Sequence, residues 1–484
     1  MNEVVLGIDS STQSTKAVAV ELATGRTVAE GRAPHSGRDI QWPGDWWEAA
    51  RIAVEPIVNA GWPVAGVSVA GQQHGFVATD AAGKPLCPAP LWNNTDAAPD
   101  AERLNQEANF AVETGTRLVA SVTIAKVAHL ARTQSDALDA IDAICLPHDW
   151  ITWKLTGNLV TDRGEASGSG WWSVISEMPR RDLLELAAGE AFAARVRIPE
   201  VLGPNDRAGE LTREAAAFLG LTPGIPVGVG TGDNMSAALG IGAAPGQFVV
   251  SLGTSGTVYS VSDQPTADPT GEVCGFADAT GRYLPLACML NCTRVVADLA
   301  RLTGAPLIES LDRAGTLEPG ADGMLLMPYF GGERTPNLPH ATGSLVGISM
   351  SNLESGLLAR AAVDGVAAGL AYCLAALRRV EVDAPEIVLV GGGSAHPTWQ
   401  QAIADATQRP IRVLGGKEHV ALGAAIQAAS VVTGAPVIEL SDRWRPDAVA
   451  GAQPRHVFAD RFRMSERQAL IDTARAREAM SPSV

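Results

Sequence analysis

Two similar α/β domains are predicted by three observations: a β-hairpin with a small polar turn that occurs twice, a strand closing on a glycine turn later in each half, and a long helical stripe of apolar residues. The first hairpin reads Val4-Val5-Leu6-Gly7-Ile8-Asp9, then the polar turn Ser10 to Thr15, then Lys16-Ala17-Val18-Ala19-Val20. Apolar runs of strand length around a polar turn specify a hairpin. The same order returns as Phe248 to Leu252, Gly253-Thr254-Ser255-Gly256, and Thr257 to Val261. The glycine-ended strands are Val64 to Gly71, ahead of Gln72-Gln73-His74-Gly75, and Ile387 to Val390, ahead of Gly391-Gly392-Gly393; a helix is expected after each. Such a duplication argues for two α/β units meeting near Gly240 to Gly246, that is residues 1–242 and 243–484. Val363, Val366, Leu370, Leu374 and Leu377 fall on one face of a helix expected from about Leu357 to Arg379, whose task is packing.

With 484 residues and 46% hydrophobic content, the chain is long enough to bury a large core in more than one domain. The 37 basic residues stand against 53 acidic ones, a net charge of −16 that disfavours a polyanionic partner such as DNA, so any phosphate must be held locally. The six cysteines are scattered, which suits reduced and mostly buried thiols. Cys288 and Cys292 are spaced as one helical turn, but no second Cys or His pair completes a metal site. Met1 to Leu6 lacks a basic segment followed by an apolar one, and no uninterrupted apolar run of about 18 residues occurs, so a cytoplasmic protein without a membrane anchor is expected. The polar end from about Arg461 reads as a surface helix with a frayed Ser-Pro terminus.

Neither G-x-x-x-x-G-K-[ST] nor G-x-G-x-x-G is present, so nucleotide must be held without a Walker loop or a Rossmann turn. Two Gly/Ser/Thr hairpin turns, one per half, can present backbone N–H groups and hydroxyls to a phosphate chain between them, which makes the cleft the site. Asp9 and Lys16 flank the first turn and supply the carboxylate and ammonium that a hydrated cation and a phosphate need. Asp233 ends the apolar run Ile225 to Gly232 and is expected at the domain junction; capping the helix that begins near Asn234 is its alternative role.

Taken together, Gly7 to Thr12, Gly232-Asp233-Asn234, Ser251 to Gly256, Gly332-Glu333-Arg334-Thr335-Pro336, Gly391-Gly392-Gly393 and Ala421 to Ala425 resemble the ordered motifs of the FGGY family of carbohydrate kinases, from about residue 4 to about residue 430. The resemblance implies two actin-like, ribonuclease H-like ATPase domains, with sugar on the N-terminal one and nucleotide on the C-terminal one. It further implies ATP and Mg²⁺ as cofactors. Phosphates would be gripped by Thr12, Lys16, Gly253, Thr254 and Ser255, and the adenosine side by Gly392, Gly393 and Ser394. Asp233 would be the general base that relieves the acceptor hydroxyl of its proton, and Asp9 and Asp233 would hold the metal through water.

Sugar specificity is expected from Gln73 and His74 at the first glycine-ended strand and from Trp92 in Leu91-Trp92-Asn93-Asn94, together with Asp233 and Asn234. Aromatic faces pack on C–H groups while amides and imidazole pair with hydroxyls. The Q-x-H-G segment is similar to that of the family's xylulokinase branch, which implies D-xylulose as the small-molecule partner, with no nucleic acid and no membrane. That branch usually reads Trp-Asn-Asp with an Arg two residues later, whereas this chain has Asn94 and Asp96. Kinases of ribulose, another ketose, gluconate or glycerol stay open, as does an actin-like shape-switching ATPase, which would need no sugar pocket. A homodimer is compatible with the sequence, which does not fix the oligomeric state.

Overall fold

The computed structural model describes residues 2–480. Its centre is two sheets with the same plan. In the first, the strand order is Arg207–Glu210, Pro226–Gly228, Val64–Gly71, Val4–Ser10, Ser14–Glu21 and Thr27–Pro34, and the short strand Thr231–Gly232 also pairs with Val64–Gly71. In the second, the order is Ala448–Ala452, Ile411–Leu414, Glu386–Val390, Gln247–Leu252, Gly256–Ser260, Tyr283–Met289 and Cys274–Ala277. Read in these orders, the first five pairings of each sheet run antiparallel, parallel, parallel, antiparallel, antiparallel. Both hairpins sit where the sequence places them.

The central strands are apolar without alternation because both their faces are covered. On the outer face of the first sheet, helices Pro43–Asn59 and Pro147–Thr156 pack on Leu6, Ile8 and Val67 through Trp46, Ile57 and Trp150. On the outer face of the second, helix Ser355–Arg379 brings Val363, Val366 and Leu370 against Phe248, Val250 and Leu389. This helix is long and apolar enough to cross a membrane, yet 72% of its apolar window is buried, so it is a core helix.

Between the sheets lies a shared layer made of helices Asp233–Gly240 and His419–Thr433. Val5, Val18 and Val20 of the first sheet and Val249, Tyr259 and Val388 of the second meet Met235, Leu239, Ala425 and Ile426 there. Helix His419–Thr433 thus comes from the far end of the chain to cover the first sheet. The two helices touch backbone to backbone: a Cβ at Gly423 would lie 1.9 Å from the Ser236 carbonyl oxygen, and one at Gly240 2.1 Å from that of His419. The Ala421 to Ala425 run is small for this close approach.

Three local expectations change. After Gly75 the chain forms no helix but enters the strand Val77–Thr79, which pairs with Ala143–Cys145. Cys288 lies in the strand Tyr283–Met289 and Cys292 just before helix Thr293–Thr303, so their spacing is not that of a helical turn; both thiols are free. Helix Met464–Met480 is mostly exposed but anchors through buried Arg467 and Ile471, whose neighbours include Leu325 and Met327. The Ser481-Pro482 end lies outside the described residues.

Candidate active site

Asp9 faces Lys16 across the first hairpin, in register. Its side chain is only 1% exposed, accepts a hydrogen bond from the Ser11 hydroxyl, and stands 3.6 Å from the Lys16 Nζ. Burial raises its carboxyl above the ordinary range, against the opposing pull of Lys16 and Ser11. Lys16 makes a closer ion pair, 2.7 Å, with Glu418 at the start of the inter-sheet helix. The sequence reading missed Glu418, whose signal was only an acid ahead of the small-residue run.

Thr12 sits at the tip of the turn, and its position is set by Trp92 and Gln41. The Trp92 indole N–H donates to its hydroxyl at 2.9 Å, and the Gln41 amide donates to its carbonyl at 2.8 Å. The indole N–H of Trp92 is therefore spent on the Thr12 hydroxyl rather than free for a ligand, and its ring packs against the first core. Asn93 and Asn94 are likewise occupied: Asn93 donates to the Arg38 carbonyl, and the Asn94 amide donates to Asp96 and Asp39 at 3.0 and 3.3 Å. The unusual Asn94 and Asp96 are partners of each other within one loop.

Across the cleft, Gly253, Thr254 and Ser255 form the second turn. The Gly253 carbonyl accepts from the Thr293 backbone at 3.1 Å and its hydroxyl at 2.7 Å, and the Thr254 carbonyl accepts from the Cys292 N–H at 3.3 Å, while the Thr254 residue itself is exposed. The glycine turn adjoins it: Gly391, at φ +89°, would place a Cβ 2.8 Å from the Leu252 carbonyl oxygen, so only glycine fits. Gly392 and Gly393 follow, open to solvent to different degrees, whereas the Ser394 hydroxyl donates back to the Gly391 carbonyl at 2.7 Å and is buried. Ser394 thus shapes this turn from inside.

Asp233 begins a helix at the seam between the sheets, delivered by the short strand Thr231–Gly232. Burial, then the charge of Asp9, pushes its carboxyl up to about 7, partly offset by hydrogen bonds from Asn234. The Asn234 side-chain amide donates to the Gln73 Oε1 at 2.9 Å and accepts from the Thr257 hydroxyl at 3.3 Å. The structure therefore gathers Gln73, Asn234 and Thr257 into one chain of bonds joining the first sheet to the second hairpin.

His74 has a left-handed backbone, φ +63°. Its Nδ1 donates to the Gly168 carbonyl at 2.8 Å, since a carbonyl can only accept, and its ring centroid lies 5.5 Å from that of Phe276 in the second sheet. Burial lowers its pKa to about 4, so the ring is neutral and Nε2 is a bare acceptor. Two further buried groups went unread in the sequence. Lys126, 3% exposed, has its ammonium pulled down to about 7 by burial and donates to the carbonyls of His74, at 3.0 Å, and Ser121. Glu165, fully buried, is pushed well above the carboxylate range by burial and then by Asp149, Asp162 and Asp233. Each lay in a helix without any motif, and a lone Lys in the apolar run Thr123 to Ala128 was the only hint.

The Gly332 to Pro336 segment is a brace. Glu333 accepts from the backbone N–H of Leu290 and the Asn291 amide, and Arg334 donates to the Gly271 carbonyl.

Residues 4–240 match the model of the FGGY family of carbohydrate kinases, N-terminal domain, and residues 248–431 that of its C-terminal domain. The chain is 43% identical over 454 residues to a xylulose kinase of Streptomyces coelicolor, covering 92% of this chain and 91% of that one. Among solved structures, the xylulose kinase of Bifidobacterium adolescentis is 34% identical with a TM-score of 0.85, over 96% of this chain and 99% of that one. A gluconate kinase of Lactobacillus acidophilus, 21% identical, reaches a TM-score of 0.89 over 98% of both chains, so the fold by itself leaves the sugar open. The architecture is the two-domain, actin-like and ribonuclease H-like α/β fold of these kinases. With both family domains matched in order along its length, the chain belongs to the FGGY family of carbohydrate kinases.

Proposed function

We propose that the chain transfers the γ-phosphate of ATP to the C5 hydroxyl of D-xylulose, giving D-xylulose 5-phosphate and ADP, with residues 1–242 holding the sugar and residues 243–484 the nucleotide. The observation that carries the reading is Asp233: a carboxylate raised to about 7 at the seam, beside Asn234 and Gln73 on the sugar side and Asp9 on the phosphate side. A base with a pKa near the working pH takes a hydroxyl proton well, and phosphoryl transfer otherwise asks mainly for positioning and charge stabilisation. Kinship with xylulose kinases supports the choice of sugar.

In this reading Gln73, His74, Asp233 and Asn234 orient the ketose. The neutral His74 Nε2 accepts from a hydroxyl, and Trp92 contributes its ring while its N–H fixes Thr12. Thr12, Lys16, Gly253, Thr254 and Ser255 hold the phosphates, and Gly392 and Gly393 face the adenosine side with Ser394 supporting them. Asp9 and Asp233 repel one another in a buried place, which is the donor chemistry that a hydrated Mg²⁺ satisfies. That cation would offset phosphate charge. Lys16 would leave Glu418 for phosphate when the cleft closes and water is excluded. The test is ADP release with a panel of ketoses, gluconate and glycerol. D-Xylulose should give the highest kcat/KM; a higher value for another member of the panel, or sugar-independent ADP release, would overturn the assignment.

A further inference from the structure

We infer that Lys126 is a positioning residue for the sugar, holding the His74 carbonyl so that the backbone keeps the left-handed turn from which the imidazole meets its ligand. The inference rests on His74 being a sugar ligand.

A lysine is costly to bury, and this one lies on helix Thr123–Thr133 among Ile124, Ala125 and Val127, all fully buried. An apolar side chain of the same length would fill that space better. No carboxylate pairs with its ammonium among the described residues, so the charge is not there for an ion pair. What the ammonium touches is two carbonyl oxygens, those of His74 and Ser121. Histidine at φ +63° is a conformation that needs support from its surroundings. The support comes from three directions: Gly168 takes the Nδ1 proton, Phe276 lies against the ring, and Lys126 fixes the peptide oxygen. Gly168 also leaves no room for a larger residue, since a Cβ there would lie 2.9 Å from the His74 ring. With Nδ1 committed, Nε2 has no protein partner among the described residues, and its direction is set by the turn that Lys126 clamps.

Lys126→Met keeps the apolar stem and removes every donor. The expected result is a KM for D-xylulose raised roughly tenfold or more, the scale of one lost charge-assisted hydrogen bond, with kcat and the KM for ATP within about threefold of the parent. In a His74→Ala background the same substitution should change the sugar KM by less than about twofold, because the two residues act through one contact. Lys126→Gln, which still donates from a shorter side chain, should fall between the parent and Lys126→Met, and it carries the comparison if the methionine variant does not fold. An unchanged sugar KM in Lys126→Met beside a raised one in His74→Ala would overturn this inference alone, as would additive effects in the double variant. An unchanged sugar KM in His74→Ala would remove the reading beneath it as well.

Discussion

The loops between Ser10 and Ser14 and between Leu252 and Gly256 stand at equivalent places in two sheets of matching strand order, yet only the first is charged. Asp9 and Lys16 flank the first loop, with Glu418 and Asp233 against them. The second has no ionisable side chain between Gly253 and Gly256, and its carbonyls are tied down by Cys292 and Thr293. The duplicated part of the fold is a backbone cradle. The ionisable side chains cluster beside one copy, where a buried carboxylate is expensive unless a cation, a donor or a ligand meets it.

The largest effect that would sharpen this contrast is at Asp233. Replacing it with Ala should lower kcat roughly a hundredfold or more while calorimetric affinities for ATP and sugar change little. Turnover close to the parent's would remove the base. Because the carboxyl sits near 7 in the folded protein, kcat/KM should fall as pH drops through about 7, where Asp233 takes up a proton. Asp9→Asn should come next, with a turnover loss of about tenfold that excess Mg²⁺ partly relieves, and with the acid limb moved to lower pH because a like charge is gone. An unchanged rate and unchanged Mg²⁺ dependence would make Asp9 a turn residue only.

A smaller effect concerns stability. A carboxyl with a raised folded pKa costs nothing below its unfolded value of about 3.9, costs more as pH climbs to about 7, and costs a constant amount above that. Asp233→Asn should therefore melt higher than the parent at pH 8, with the difference shrinking below 7 and vanishing near 4. A difference independent of pH would mean that burial does not strain this group. The smallest expected effect is none at all: with His74 held near 4, the NMR shifts of its ring carbons should not titrate between pH 5 and 8, and a ring titration near 6.5 would contradict its buried, neutral state.

Periodicity and turn chemistry made the hairpins, the strand Val64–Gly71 and the core helix Ser355–Arg379 legible, because each is a local pattern that its residues specify directly. Asp233 was legible as the end of an apolar run, though the run breaks at Val229–Gly230 before Thr231–Gly232 resumes pairing. What could not be read depends on residues far apart in the chain. The turn after Gly71 looked like a helix start because nothing local reveals a left-handed His74 or the Lys126 that holds it. The indole N–H of Trp92 looked free for a ligand because its partner, Thr12, precedes it by a long stretch. Helix His419–Thr433 covering the first sheet is invisible to any window along the sequence.

The proposed assignment of His74 to the sugar and of Thr254 to the phosphates is tested most directly by steady-state kinetics of two single variants, each with both substrates varied. His74→Ala should raise the KM for D-xylulose and leave that for ATP near the parent value, at a cost of about 1–3 kcal/mol, while Thr254→Ala should raise the KM for ATP and spare that for the sugar. Both variants affecting the same substrate, or each affecting the two equally, would contradict the separation of a sugar contact at His74 from a phosphate contact at Thr254.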